Sequence, residues 1–199
     1  LGSGLLLDLP LALLAEVFQE VVLVDIVHLP EVKRFVHAYP NVRLLQADVT
    51  SVAEQLYYNA QRSRQQLPAG DAVIPAIDDQ TGLVISLNLI SQLAAVPLEY
   101  ARKKMPALGE NELSAWCDHI RIAHLAALEA LPCDVCVIAD YAYILRDRKG
   151  VIVEEGPTVG NLVLPQADET WRWEIAPLTE ESNHLAKTLL VRAWYRAYV

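Results

Sequence analysis

The chain has 199 residues, of which 53% are apolar and 21% charged, with 8 glycines and 11 prolines. This composition excludes a disordered or collagen-like chain and predicts a single domain spanning residues 1–199. Its 25 acidic and 16 basic side chains give a net charge of −9, which argues against nucleic acid as a partner.

The cysteine content and the first residues indicate the compartment. Three cysteines are an odd and sparse set, unlike the disulfide framework of a small secreted protein. The first seven residues, LGSGLLL, carry no basic region of a signal peptide, and no run of about 18 apolar residues is present to span a membrane. We therefore expect a cytoplasmic protein without membrane association. The sequence does not indicate its oligomeric state.

Helical patterns alternate with short β-branched runs in the first two thirds of the chain, which is typical of parallel βαβ units. Asp8 ahead of Pro10 predicts a helix reaching residue 19, and the spacing of Ser51 and Glu54 predicts a capping box opening a helix over 51–65. The other predicted helices are 30–38, 91–104 and 112–130. The predicted strands are 21–26, 42–47, 83–87 and 135–139, with a loop over 68–80.

The last third of the chain has a different pattern. Segments 141–145 and 151–154 flank a turn over 146–150, which predicts a small hairpin. Segments 171–177 and 187–196 predict two more strands, because β-branched and aromatic residues dominate them, and the polar segment 178–183 joins the two. We therefore predict an α/β fold that ends in antiparallel structure.

A glycine turn and two acids carry the chemistry of the sequence. Gly2-Ser3-Gly4 precedes the first predicted helix, Asp25 ends a strand 21 residues after Gly4, and Asp48 follows the next strand. Glycines let a ligand approach the backbone, and a carboxylate after the second strand accepts the hydroxyls of a ribose. Together these residues favour a nucleoside-containing cofactor. Taken singly, the glycines are explained by a turn and Asp48 by a helix cap.

These residues resemble motifs of the class I S-adenosylmethionine-dependent methyltransferases. Gly2-Ser3-Gly4 resembles their glycine-rich first motif, Leu23-Val24-Asp25 the ribose-binding acid, and Gln46-Ala47-Asp48-Val49 the motif beside the adenine. Segment 84–89, VISLNL, resembles the fourth-strand motif at whose end the methyl donor meets the acceptor. The last two strands resemble the family's final hairpin, in which the seventh strand lies between the fifth and the sixth.

The resemblance implies a fold and a cofactor site. The fold is a Rossmann-like, doubly wound, mostly parallel sheet with a C-terminal antiparallel hairpin. The cofactor is S-adenosylmethionine, bound by the residues Gly2, Ser3, Gly4, Asp25 and Asp48. The resemblance also implies a central strand ahead of Gly2, which the sequence does not contain, and Leu6 stands where the family commonly has a third glycine.

The methyl acceptor is an unknown small molecule or protein. Ser86, Asn88, Gln92 and Tyr141 are candidates for contacting it at the reaction end of the pocket. Two plainer explanations stay open: Asn88 and Gln92, spaced i and i+4, also suit a hydrogen-bonded helix start, and Tyr141 also suits packing against the sheet. No catalytic residue is assigned, because a sulfonium methyl is already activated and needs mainly orientation and exclusion of water.

Histidines and cysteines predict no metal site. His28 either lines the nucleoside pocket or is an exposed loop residue, and His119 and His124 diverge around the same helix because they are five positions apart. Cys133 and Cys136 lie at the start of a strand, where residues three apart face opposite sides, so we interpret both as structural.

Three functions are compatible with these patterns. The first is an S-adenosylmethionine-dependent methyltransferase, and the alternative is a catalytically inactive relative that serves as a binding or scaffolding protein. A third is a nicotinamide-dependent oxidoreductase, since a ribose-binding acid about 20 residues beyond a glycine turn also serves NAD. The position of Asp48 and the antiparallel end of the chain favour the first over the third.

Overall fold

The computed structural model of the chain describes residues 1–176 and 185–198. Within these residues the fold is mixed α/β, with five helices and seven strands. The helices are α1 (Leu11–Val17), α2 (Pro30–Val36), α3 (Ala53–Gln61), α4 (Ala95–Lys104) and α5 (Glu110–Glu129). The strands are β1 (Val21–Asp25), β2 (Val42–Gln46), β3 (Leu83–Leu87), β4 (Asp134–Asp147), β5 (Ile152–Pro157), β6 (Glu169–Ala176) and β7 (Leu185–Arg196). None of the described helices combines the length and apolar composition needed to cross a bilayer.

The described strands form two sheets. β1 and β2 pair in parallel as one sheet, and the other has the order β3-β4-β7-β6, with β5 added to the far half of β4. β3 and β4 are parallel, whereas β5, β6 and β7 make antiparallel pairs. The last strand therefore lies between β4 and β6, the position that the resemblance implies. Separation of β1 from β3 distinguishes this arrangement from the single continuous sheet that we expected.

Helices cover both faces of β1. Val21 and Leu23 pack against α1 and α2 on one face, and Val22 and Val24 pack against α3, α4 and α5 on the other. A strand buried on both faces needs apolar residues at consecutive positions, which explains the run VVLV at 21–24. The carboxyl ends of β1 and β2 thus emerge from a covered sheet, and Asp25 stands at that edge.

The longest described helix, α5, contributes to two of the three apolar clusters, the one around α3 and α4 and the one against β3 and β4. Its first turn carries Glu110 and Glu112, which complement the positive end of the helix dipole. Its buried face follows the i, i+3, i+4 spacing and contacts both the α3/α4 side and the face of β3 and β4. This helix places His124 beneath β3, where its Nε2 lies 3.1 Å from the hydroxyl of the strand residue Ser86.

Two predicted helix starts are wrong. α1 begins at Leu11 with Pro10 at its cap and no side-chain hydrogen bond, so Asp8 does not cap it. α3 begins at Ala53 after Val52, and Ser51 has a φ of 56°, so the Ser51–Glu54 capping box does not form. The carboxylate of Asp48, five residues before Ala53, accepts the Ala53 N–H instead.

Other boundaries also differ from the prediction. α3 ends at residue 61 rather than 65, and α4 begins at residue 95 after a turn rather than at 91. Segments 135–139 and 141–145 are one strand, β4, because an irregularity between Asp140 and Ala142 bends the ladder without ending it. The predicted link over 178–183 and the end of segment 171–177 lie outside the described residues.

Candidate functional site

The first four residues cross the carboxyl ends of β1 and β3. The amino group of Leu1 donates to the carbonyl of Ile85 at 2.7 Å, and Leu87 N–H donates to the carbonyl of Leu1 at 3.1 Å. On the other side, Gly2 N–H donates to the carbonyl of Val24 at 2.9 Å. The glycine motif is therefore held between the two sheets, at the edge where open α/β sheets bind ligands.

The turn after Leu1 uses left-handed backbone at three positions. Gly2 has a φ of 72°, and a Cβ there would come within 3.0 Å of the Leu87 carbonyl oxygen, so the position requires glycine. Gly4 has a φ of 47° with open space around it, which leaves room for a ligand. Leu6 also has a positive φ, 65°. The chain thus keeps at Leu6 the conformation suited to a glycine while carrying a leucine side chain.

Asp25 is fixed beside the glycine turn. Its Oδ2 accepts the Gly4 N–H at 2.9 Å, and its Oδ1 accepts the Val27 N–H at 3.4 Å. Its backbone carbonyl accepts the Ala47 N–H, which ties it to the end of β2. The side chain is half-buried. Because a carboxylate has about four acceptor positions, Asp25 retains acceptor capacity toward a ligand.

The Asp48 carboxylate already accepts hydrogen bonds from residues that follow it closely in the chain. Its Oδ1 accepts both the backbone N–H of Thr50 at 2.9 Å and the Thr50 hydroxyl at 2.5 Å. Its Oδ2 accepts the N–H of Ala53, the first residue of α3, at 2.8 Å. The carboxylate therefore supplies the acceptor that the start of α3 lacks, as in the plainer of the two sequence interpretations.

Two buried polar atoms near the turn have no partner within the described part of the chain: Ser3 Oγ and Asn88 Oδ1. Ser3 is 5% exposed and Asn88 is 9% exposed. Asn88 follows β3 with a φ of 48°, and its N–H donates to the Ile138 carbonyl. Buried polar atoms without partners are rare and costly, so they indicate a ligand or a water at this edge.

Gln92, Ser86 and Tyr141 make structural contacts. Gln92 Nε2 donates to the carbonyl of Asn88 within the turn that precedes α4, and leaves the Asn88 side chain free. Ser86 is fully buried and its Oγ lies 3.1 Å from His124 Nε2, so its side chain faces α5 and not the carboxyl edge. Tyr141 packs against the core below β4, with the Arg192 guanidinium 4.2 Å from its ring centre.

Burial of His124 has an electrostatic consequence. Its side chain is fully buried, and desolvation lowers the pKa of the imidazole to about 4, with a smaller contribution from the Leu1 amine. The ring is therefore neutral at pH 7. His119 on the same helix is exposed.

Three further polar side chains lie at this edge: His28, whose burial was left open, Asp140, and Ser91, which was not predicted. His28 is 6% exposed rather than a surface residue, and its Nε2 donates to the Leu45 carbonyl at 3.1 Å, leaving Nδ1 unpartnered. Ser91 Oγ donates to Asp140 Oδ1 at 2.5 Å, and Asp140 is 5% exposed. Asp140 directly follows the predicted strand 135–139, and this position was the sequence signal that pointed to it.

The thiols and the metal-ligating residues show no further site. Cys117 and Cys133 are buried and Cys136 is half-buried, all three unpaired, and burial raises the pKa of each thiol. Within residues 1–176 and 185–198, no group of three His, Cys, Asp or Glu side chains is close enough to hold a metal ion.

A cavity of about 440 Å³ lies between β1 and β3, next to the glycine turn. It begins at Leu1 and Ser3 and runs along both strands toward their amino ends. Asp25 and Gly4 stand outside it, at the carboxyl edge. The cavity and the candidate cofactor site thus adjoin at Ser3.

Comparison with known proteins adds no relative. No family model, no curated protein and no solved structure matches this chain.

Proposed function

We propose that this chain binds S-adenosylmethionine at the carboxyl edge of β1 and transfers its methyl group to a small-molecule or protein acceptor. The observation that carries the proposal is the contact between Gly4 N–H and the Asp25 carboxylate. It brings a glycine turn with open space above it and an acid with spare acceptor capacity to one edge.

The strand arrangement supports the same proposal. Helices lie on both faces of the β1–β2 pair, and β7 lies antiparallel between β4 and β6. A Rossmann-like, doubly wound methyltransferase domain has this final strand insertion. The proposal extends that architecture to the chain as a whole, with β1 to β4 as its parallel part.

The polar groups present fit a nucleoside-containing sulfonium ligand. Asp25 can accept ribose hydroxyls, and the unpartnered Ser3 Oγ and Asn88 Oδ1 are available to the polar end of the ligand. Asp25 and Asp140 place negative charge along the edge, which suits a cationic sulfonium. Once bound, this cofactor supplies a methyl group that is already activated. The Asp48 carboxylate is engaged by α3, so the proposal rests on Asp25 and not on Asp48.

A nicotinamide dinucleotide is less well accommodated. Its pyrophosphate needs free N–H groups at the start of a helix directly after the glycine turn. Here α1 begins at Leu11, seven residues after Gly4, with a proline at its cap. The structure therefore favours the methyltransferase hypothesis over the oxidoreductase.

One observation favours the second candidate, a catalytically inactive binding protein. Ser86 and Tyr141, two of the four candidate acceptor residues, are engaged in core packing. Transfer of a methyl group needs little acid–base assistance, so this observation does not remove the first candidate. Direct measurement of transfer separates the two.

Calorimetric titration of the 199-residue chain with S-adenosylmethionine and with its demethylated product tests the cofactor assignment. We expect saturable binding of both compounds, weakened at least about tenfold by Asp25→Ala, since a hydrogen bond to a charged group contributes about 1.5–3 kcal/mol. Asp8→Ala is the matched control, because Asp8 is an exposed acid in the segment between the glycine turn and α1. Absence of binding to the folded chain would overturn the assignment.

Methyl transfer is measured next, with the labelled donor and separate small-molecule and protein fractions as acceptors. Transfer that is lost in Asp25→Ala supports an enzyme. Binding of the donor without transfer to either fraction supports the inactive binding protein instead.

A further inference from the structure

The outer edge of β6 is open to pairing with a further strand. β6 stands last in the order β3-β4-β7-β6, so β7 occupies one of its edges, and no strand among the described residues pairs with the other. Most of β6 is exposed, and this includes the large apolar residue Trp171, which is 40% exposed. An exposed strand edge offers backbone hydrogen-bonding groups to another chain.

The pairing of β6 with β7 determines which backbone groups lie at this edge. Tyr195 N–H donates to the Asp168 carboxylate, and the Ala193 carbonyl accepts the Asp168 N–H, so the odd-numbered residues of β7 bond toward β6. They lie opposite the odd-numbered residues of β6 between 169 and 173, which therefore bond toward β7. The N–H and carbonyl groups of Arg172 and Glu174 consequently face the free edge.

The side chains of β6 divide between its two faces. Trp171 and Trp173 lie opposite two buried apolar residues of β7 and share the face of the sheet with them. Arg172 and Glu174 lie on the other face and are exposed. Within the described residues, neither of these two charges takes part in an ion pair. Both charges are therefore available to a strand that joins this edge.

We propose that β6 pairs antiparallel with β6 of a second copy of this chain, about a two-fold axis at Trp173. The pairing joins the two β3-β4-β7-β6 sheets into one continuous sheet across the dimer. A two-fold contact of this kind uses the same surface of both copies and closes at the dimer. The proposal goes beyond the proposed methyltransferase function and is independent of the cofactor.

The charges of β6 select this position of the axis. With the axis at Trp173, Arg172 lies opposite Glu174 of the second copy, and the same pair forms again on the other side of the axis. An axis at Arg172 or at Glu174 would instead oppose two like charges. The sequence of β6 is thus complementary to itself in one register.

The backbone geometry agrees with the same register. Arg172 and Glu174 both face the free edge, so each Arg172–Glu174 pair between the copies exchanges two backbone hydrogen bonds. Trp173 then meets Trp173 of the second copy in a non-hydrogen-bonded position, where opposing side chains are closest. Aromatic pairs at such positions stabilise antiparallel strands.

The length of the matching segment sets the strength of the contact. The register of β6 against β7 is continuous from Glu169 to Glu174 and shifts before Ala176, so an irregularity ends the regular edge soon after Trp173. A short two-stranded contact gives a dimer that dissociates on dilution. We therefore expect a reversible equilibrium between monomer and dimer.

The outer edge of β5 shows the opposite character. No strand among the described residues pairs with it, yet it carries adjacent acids at Glu154 and Glu155 and ends in Pro157. Acidic side chains and proline on an edge strand oppose pairing with another chain. β5 therefore provides the control for substitutions in β6.

Sedimentation equilibrium of the 199-residue chain over a range of concentrations tests the proposal. Arg172→Glu and Glu174→Arg each replace opposite charges with like charges across the axis. Each should weaken dimerisation at least about tenfold. The two substitutions together restore opposite charges and should restore the dimer.

An equimolar mixture of the Arg172→Glu and Glu174→Arg chains should form a heterodimer, because an acidic edge then meets a basic one. Recovery in the mixture separates loss of the contact from loss of the fold. Glu155→Arg is the matched control, since it changes the net charge as Glu174→Arg does but lies on β5. It should leave the dimer unchanged.

Hydrogen exchange locates the contact. The Arg172 and Glu174 amides should exchange more slowly, on the order of tenfold, when the chain concentration is raised through the dimerisation range. The Trp171 amide bonds toward β7 in either state and serves as the internal reference.

A chain that stays monomeric at the highest concentration reached would overturn the proposal. A dimer that Arg172→Glu and Glu174→Arg leave unchanged would also overturn it, because such a dimer uses another surface. Assembly beyond the dimer, or failure of the mixed chains to associate, contradicts the two-fold register at Trp173.

Discussion

Asp48 stabilises the start of α3 at the level of a single residue. Its two oxygens accept three hydrogen bonds, from the Thr50 amide and hydroxyl and from the Ala53 amide. Removing such a cap leaves helical N–H groups without an acceptor. We expect Asp48→Ala to lower the free energy of unfolding by about 1–2 kcal/mol in urea titration.

The exposed acid Asp8 provides the control for this substitution. Asp8→Ala should change the free energy of unfolding by less than about 0.5 kcal/mol. Equal stability of the Asp48→Ala and Asp8→Ala chains would contradict the capping role. It would leave the Asp48 carboxylate available for a ligand.

At the scale of single residues, the sequence predicted which side chains lie close together better than it predicted the role of each. The spacing of Gly4 and Asp25 anticipated two groups that do meet, because a glycine turn and a strand end share one edge. For Asp48 the sequence offered both a helix cap and a ligand contact, and the hydrogen bond from Ala53 N–H to its carboxylate shows that the cap is formed. Burial of His28 could not be predicted from the sequence, because a loop residue becomes buried only through contacts distant in sequence.

At the scale of elements, one glycine locks a loop onto α5. Gly160 has a φ of 65°, and a Cβ there would overlap Asp118 Oδ1 and lie 3.0 Å from Arg121 Nη1. Asp118 in turn accepts hydrogen bonds from Arg121 and from Asn161. The loop between β5 and β6 thus depends on close approach to a buried ion pair on the helix.

We expect Gly160→Ala to be more destabilising than Gly150→Ala. Both glycines have a positive φ, so both substitutions incur the backbone cost of about 1 kcal/mol, but the structure leaves open space around Gly150. The additional loss at Gly160 comes from displacement of Asp118 and is expected to be at least about 1 kcal/mol. Thermal unfolding of both variants measures the difference. Equal effects would mean that the loop moves freely away from α5.

The elements show which sequence signals are dependable. Short apolar runs predicted β1, β2 and β3 closely, because strands buried on both faces tolerate little else. Capping signals at Asp8 and Ser51 failed, since a cap depends on the backbone angles of the cap residue, which residue type alone does not fix. Segments 135–139 and 141–145 were predicted as separate strands, yet β4 runs through both and continues to Asp147 past a bulge.

At the scale of the molecule, Leu1 and Gly2 connect the two sheets. Backbone hydrogen bonds run from Leu1 to β3 and from Gly2 to β1. The position of the last strand could be predicted from the resemblance, whereas the gap between β1 and β3 requires coordinates, because its two walls come from strands 62 positions apart in the chain.

A buried histidine in the same region contributes to the pH dependence of stability. His124 lies beneath β3, and burial, aided slightly by the Leu1 amine, holds its pKa at about 4, below the ordinary value of 6.5. A folded state that favours the neutral ring binds fewer protons than the unfolded state. The contribution of His124 is therefore complete above pH 6.5 and is lost as the pH falls toward 4. The loss amounts to about 3 kcal/mol.

His124→Gln should remove this part of the pH dependence, because an amide keeps a hydrogen bond to Ser86 and carries no charge. Urea unfolding at pH 7.5 and pH 4.5 is expected to show a smaller stability loss in the variant than in the unchanged chain. His119→Gln, on the exposed face of the same helix, is expected to leave the loss intact. The Leu1 amine, whose pKa is lowered from 8.0 to about 6, also titrates between these two pH values, but it is present in all three chains and so adds the same background to each. Identical losses in the His124→Gln and His119→Gln chains would mean that the acid sensitivity arises from carboxylates and not from the histidine under β3.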